Sequence, residues 1–333
     1  MGLFARKLHP EWFQGNLQRR FYFEGWYFKI IDKNSDNIYA IIPGIALNKR
    51  KNSSHSFIQI LDGKTAEYHY IRFPIEDFQI EKDSFKVSIG PNTFSENHIH
   101  LEIDDKVQVT ADMKFSNLVK LKRTFFNPGV MGFFSWFPFM ETKHGVVSLN
   151  HSLTGFFEIN NNHINFTDGK GYIEKDWGIS FPTKWIWMQS NHFKEENRSF
   201  MFSLAKIRYL GIKFTGFLGV LWNKGELIRF GTYTGARIKN LEIEPTHVRF
   251  EIHMRKHILE MHASKSIDET GSTRTAKMMT PEEGEMSAKC MESISSTINL
   301  SLYELVKGRR TLVFQDTGIN TGLEIMGENQ DFF

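Results

Sequence analysis

The feature that most constrains this chain is a period of two. In "SFKVSI", "HIHLEI", "KVQVTADMKF", "SFMFSLAKI" and "HVRFEIHM", apolar and polar residues alternate, or β-branched and aromatic residues run together. Successive side chains of a strand point to opposite faces, so alternation gives each strand one face for a core. Polar segments rich in turn residues separate the runs: "DKNSDN", "LDGK", "GPN", "NNN", "TDGKG", "KEEN" and "WNKGE". No long stretch keeps a 3.6-residue period. Short strands at this spacing predict an all-β chain, built as a sandwich or barrel.

A chain of 333 residues has room for one large or two medium domains. Two segments echo each other. "GWYFKIIDKNSDNIYAIIPGI" and "KWIWMQSNHFKEENRSFMFSLAKI", which starts at Lys184, both read as aromatic strand, polar turn, apolar strand. Each is expected to open one antiparallel β half, with residues 1–168 in the first and 169–333 in the second. The polar segment from Ser264 to Ser287 reads as a long loop between strands.

Charge and motifs exclude several classes. Forty-one basic residues against 38 acidic ones give a net charge of +3, which offers no concentrated basic face for nucleic acid. No phosphate-binding loop, dinucleotide fingerprint or G-x-S-x-G elbow occurs, so no cofactor is expected. His98 and His100 have no evident third ligand, so no metal is expected either. The lone Cys290 reads as a small core residue. The N-terminal stretch has no signal-peptide pattern, and the apolar run "FTGFLGVLW" is far short of the ~20 residues of a spanning helix. These features point to a cytoplasmic location. The uncharged segment Phe125–Met140, "FFNPGVMGFFSWFPFM", either plugs a barrel end or forms a greasy lid that touches a membrane surface.

Four stretches carry residues suited to chemistry. In "KWIWMQSNHF", alternation puts Trp185, Trp187, Gln189 and Asn191 on one face, where two indoles and two amides suit a pocket wall better than a solvated surface. Upstream lie Glu174, Lys175, Asp176 and Trp177. An acid beside an indole is a candidate raised-pKa general acid, or an ordinary turn acid paired with Lys175. In "METKHGVVSLNHSLTG", alternation groups His144 with Asn150 and puts His151 on the opposite face. Near the start, "RRFYFEGWYFKI" surrounds one carboxylate with six aromatic rings. Glu24 shares a face with Trp26 and Phe28, and an acid so embedded needs a basic partner such as Arg20 or a catalytic task.

Taken in order, "RRFYFEGWYFK", "NPGVMGFFSWFPFMETKHGVVSLNHSLTG" and "GYIEKDWGISFPTKWIWMQSNHF" resemble the tocopherol cyclase family. The C-terminal "MTPEEGEMSAKCMESISSTINLSLYEL" and "LVFQDTGINTGLEIMG" are similar to that family's closing segment, so the resemblance spans nearly the whole chain. A looser similarity extends to carotenoid hydratases. The resemblance implies two lipocalin-like antiparallel β halves, barrel or sandwich, packed together. It implies a cofactor-independent enzyme that adds a phenol oxygen to a prenyl double bond and closes a chromanol-type ring. Mapped onto this chain, Asp176 or Glu24 would be the acid. Trp26, Trp177, Trp185 and Trp187 would form a wall tolerant of a cation. Gln189, Asn191 and Asn150 would orient the quinol oxygens. The expected partner is a hydrophobic prenylated small molecule. The alternative is a non-catalytic lipocalin-like carrier of an isoprenoid or similar ligand.

Overall fold

The computed structural model describes residues 3–332, with side chains from residue 6 onward. The chain is nearly all β and divides into two compact units, one of Met1–Phe181 with Met278–Lys289, the other of Pro182–Lys277 with Cys290–Phe333.

Unit 1 holds strands β1 (Phe21–Ile31), β2 (Ile38–Asn48), β3 (His55–Asp62), β4 (Tyr68–Phe73), β5 (Phe78–Ile80) and β6 (Lys86–Ile89). It continues through β7 (Asn92–Ser95), β8 (His98–Asp104), β9 (Gln108–Ser116), β10 (Thr142–Ile159), β11 (Asn162–Asn165) and β12 (Lys170–Gly178). They form one antiparallel sheet in the order β4-β3-β2-β1-β12-β10-β9-β8-β7-β6-β5, with β11 on β10. The two ends of that path, β4 and β5, are joined by residues 74–77 alone. A four-residue link between opposite edges requires the sheet to curl round on itself. All twelve strands send apolar side chains into one core, which is filled by rings such as Trp26, Phe28, Phe85, Phe94 and Phe115.

Unit 2 is built by the same plan. Its strands are β13 (Trp185–Ser190), β14 (Arg198–Tyr209), β15 (Ile212–Asn223), β16 (Glu226–Gly231), β17 (Arg237–Ile243), β18 (His247–His253) and β19 (His257–Ser264). After β20 (Ala276–Glu282) follow β21 (Glu285–Val306) and β22 (Arg309–Met326). The path runs β16-β15-β14-β13-β22-β21-β19-β18-β17, and its two edges are again sequence neighbours. In each unit the first strand pairs with the last, β1 with β12 and β13 with β22. The two echoing segments of the sequence are the opening hairpins β1–β2 and β13–β14.

The units divide later than the expected 168/169 boundary, because β12 supplies the closing partner of β1. The segment Ser264–Ser287, expected as a loop, instead contains β20 and its hairpin into β21. Met278–Lys289 belongs with unit 1, where Met286 and Met279 pack on Ala46 and Phe57 of the sheet's outer side. The polar composition that suggested a loop belongs to its exposed turns.

Burial separates ordinary strands from those that build sites. β9 alternates exposed and buried without exception in its even positions, as a strand with one wet face must. β1 is buried on both faces along nearly its whole length. Its inner face carries Tyr22, Glu24, Trp26 and Phe28, and its other face carries Lys29, which is also fully buried.

Candidate active site

Strand β12 alternates as "GYIEKDWG", and both of its faces carry charge. Its register against β1 pairs Lys175 with Trp26 and Trp177 with Glu24, so these four share the inner face. Glu174 and Asp176 point to the outer face, opposite Val146 and His144 of β10.

On the inner face, Lys175 and Glu24 form an ion pair with both side chains fully buried. Glu24 accepts hydrogen bonds from the Tyr22 hydroxyl and from the backbone N–H groups of Gln14 (2.9 Å) and Gly15 (3.1 Å). Lys175 donates to the carbonyls of Pro10 (2.8 Å) and Trp12. Burial pulls the Lys175 pKa down, and Glu24 works against that pull. Beyond the bond to Tyr22 and the contact with each other, the pair's hydrogen bonds all go to backbone groups of residues 10–15. Of the two readings open for Glu24, ion-pair partner or catalytic acid, the structure carries the first, with Lys175 in place of Arg20. A carboxylate sealed from solvent and saturated with donors has no free edge for a substrate.

The indoles expected to face a substrate cation meet the chain's own cation here. The Lys175 ammonium lies 4.7 Å from the ring centre of Trp26 and 5.0 Å from that of Trp177. Trp26 is fully buried and donates its ring N–H to the Glu11 carbonyl at 2.9 Å. It is a core residue; Trp177 is only half-buried.

The outer face is different. His144 Nδ1 lies 2.9 Å from Asp176 Oδ1, and its Nε2 lies 3.3 Å from Glu174 Oε2. The Tyr172 hydroxyl donates to Glu174 at 2.5 Å. Burial opposes a charge on His144, but the Asp176 and Glu174 carboxylates on its two sides outweigh it and raise its pKa to about 10. His144 is therefore an imidazolium at neutral pH. The Asp176 side chain retains 27% exposure against 5% for Glu174, so Asp176 forms the accessible edge of the cluster. One ligand atom from each of His144, Glu174 and Asp176 can be chosen with all three within 4.8 Å, so the same set has the spacing to hold a divalent cation. Both ring nitrogens already face carboxylates, so an ion would have to displace one of these pairings.

Asn150 does not join this group by simple alternation. Register shifts in β10 between Val146 and Ser148, and between Ser148 and His151, break the period that would place it beside His144. Its carbonyl accepts from the Val119 N–H (2.8 Å) and the Ser148 hydroxyl (2.9 Å). His151 turns inward against the Phe115 ring, 4.6 Å between centroids, and burial lowers its pKa to about 3.

The remaining candidates lie in unit 2. Ile186 and Met188 of β13 enter the core, so Trp185, Trp187 and Gln189 occupy its other face. That face is not solvated: Trp185 is 8% exposed, Trp187 6% and Gln189 0%. The Trp185 ring N–H donates to Glu324, and the Trp187 ring fills the space where Gly322 lacks a Cβ. β13 ends at Ser190, and Phe193 turns back into the core, so the alternation does not extend to Asn191. The Asn191 side chain meets the His192 ring at 3.0 Å. Sequence reasoning singled out Asp176 but missed its pairing with His144. The alternation of "EKD" separated Glu174 and Asp176 from Lys175. Which strand lies opposite depended on the β10–β12 register.

Comparison with known proteins agrees with this architecture. A family model described as tocopherol cyclase-like matches residues 121–327. A protein of Oryza sativa subsp. japonica named "Probable tocopherol cyclase, chloroplastic" is 24% identical over 204 residues, 59% of this chain and 42% of that protein. The tocopherol cyclase, chloroplastic, of Zea mays is 24% identical over 178 residues, covering 52% and 36%. The match thus spans less than half the length of these curated relatives. The crystal structure of CghA with Sch210972 has the same fold, with a TM-score of 0.56 at 8% identity over 92% of this chain and 89% of that one. Since the family model covers more than half of its residues, the chain belongs to the tocopherol cyclase-like family.

Proposed function

We propose that the chain is an acid-catalysed cyclase of a prenylated phenol, with His144 holding the catalytic proton and Asp176 handing it to the substrate from the accessible edge of the cluster. The observation that carries this reading is a buried histidine ring set between two carboxylates, 2.9 Å from one and 3.3 Å from the other, the nearer of which keeps an open edge. Protonating an alkene demands a strong acid. The His144–Asp176 pair shares one proton across a 2.9 Å contact, and Asp176 is the member of the pair with an open edge toward a substrate.

The step balances without an external reagent. The proton on His144 Nδ1 passes to Asp176 and from there to the less substituted alkene carbon, whose double-bond electrons form the new C–H bond, leaving a tertiary cation beside a neutral His144. The phenol oxygen then bonds to the cation, and its proton passes through the Asp176 carboxylate back to His144. Product and substrate are isomers. Holding the oxygen against the cation makes capture unimolecular, and a water-poor site suppresses hydration of the cation.

The carrier alternative has less support, because the middle of unit 1 is filled by its own aromatic side chains. The test is incubation with prenylated hydroquinones, followed by mass spectrometry. A ring-closed product of unchanged mass supports the proposal. Ligand recovered bound and unaltered, from every substrate offered, favours the carrier.

A further inference from the structure

From residue 113 to residue 140 the chain contains four basic residues and no acid. Within this stretch Phe125, Phe126, Phe133 and Phe139 are 61%, 77%, 44% and 81% exposed. Isolated exposed rings are ordinary, but here four fall within fifteen residues. The rings are clustered: Phe125 packs on Phe126 and Trp136 at 5.5 and 5.2 Å, and Phe133 packs on Phe137 at 6.0 Å.

The patch is held rather than loose. Lys7 and Lys143 donate to the carbonyls of Trp136 and Ser135, both at 3.0 Å, and the Trp136 ring N–H closes on the Phe125 carbonyl at 2.8 Å. Phe139 adopts φ of 59°, a left-handed conformation that is costly for a bulky residue. Strain that keeps an apolar ring in water has to be offset elsewhere, and it is found where a surface has a task. Just before the first of these rings in sequence come the exposed Lys120 and Lys122, with Glu96 pairing Lys120 and Glu11 pairing Arg123.

We propose that this segment is a docking surface for a lipid bilayer bearing anionic headgroups. The Phe rings enter the headgroup–acyl boundary, and the basic residues meet the negative surface. No helix among the described residues is long and apolar enough to cross a membrane. The segment leads directly into β10, and the sulfur of its Met131 accepts the His144 backbone N–H at 3.2 Å. On the reading of the site given above, docking would place the site near the phase in which a prenylated substrate dissolves.

The experiment is co-sedimentation of the whole chain with vesicles of phosphatidylcholine alone and of phosphatidylcholine mixed with phosphatidylserine, with no substrate present. The wild type should bind the anionic vesicles more tightly, and added salt should weaken that binding. The triple variant Phe125→Ser, Phe126→Ser, Phe139→Ser should bind about a hundredfold more weakly, with an unchanged melting temperature. Equal binding by variant and wild type would overturn the proposal. So would a wild-type dimer in light scattering that the variant converts to a monomer, with no vesicle binding by either. None of these outcomes depends on whether the chain is a cyclase.

Discussion

Lys175 and its sequence neighbours Glu174 and Asp176 occupy one strand, yet they belong to two clusters of opposite character. On the inner face, one cation and one carboxylate cancel, and tyrosine, backbone amides and backbone carbonyls take up every remaining bond. On the outer face, one cation stands between two carboxylates, so the cluster has an excess acceptor and an accessible edge. The closed pair holds residues 10–15 against the core. The open cluster can gain and lose a proton. The difference teaches that a buried charge in this protein is not by itself a sign of catalysis; the count of protons and acceptors around it is what separates structure from chemistry.

The comparison can be broken most forcefully at the closed pair. Lys175→Met leaves Glu24 buried without its cation and should cost about 3–5 kcal/mol of stability in urea unfolding. Adding Glu24→Leu should restore part of that loss, since two apolar residues no longer bury a charge. A single variant as stable as wild type would show that the pair does not hold the core.

A smaller loss of about 1–3 kcal/mol is expected from Gly171→Ala. A Cβ there would lie 2.2 Å from the His151 ring, which is packed on Phe115. Calorimetry of this variant tests whether the inner face of β12 tolerates any added volume.

The open cluster should respond to pH instead. The folded His144 pKa of about 10 lies above the ordinary 6.5, so its stabilisation is complete below about 6.5. It fades as pH rises and is gone above about 10. The stability gap between wild type and His144→Gln should therefore be widest in acid-to-neutral buffer and close toward pH 10. A gap independent of pH over that window would remove the carboxylate-bracketed imidazolium. The smallest effect should come from Trp177→Phe, which weakens one cation–π contact with Lys175 at a cost of about 0.5–1 kcal/mol.

Much of this fold was legible in the period of two. "KVQVTADMKF" and "HVRFEIHM" gave their strands and buried faces directly, because a strand with one wet face writes its orientation in alternate residues. The echo between the opening hairpins marked two units of one plan. "MTPEEGEMS" was less legible: β20 pairs locally with β21, but the hairpin belongs with unit 1 and packs on Ala46 and Phe57, a long-range contact with no local signature. The split of Glu24 and Trp26 from Lys29 in β1 followed from alternation, but the partner of Glu24 did not, since Lys175 lies far away in sequence. Asn150 and Asn191 were misplaced for a related reason. Bulges in β10 and the end of β13 at Ser190 reset the period, and neither carries a glycine or proline that would announce it.

The account rests on Asp176 being the proton donor of the open cluster. The most direct test is turnover of a prenylated hydroquinone by Asp176→Asn beside wild type, with circular dichroism and unfolding of both. The amide keeps the shape but cannot carry the proton, so cyclisation should fall about 10²–10⁴-fold while circular dichroism still shows the wild-type fold, with stability lowered by the lost Asp176–His144 ion pair. Turnover by the folded variant near the wild-type rate would contradict the assignment.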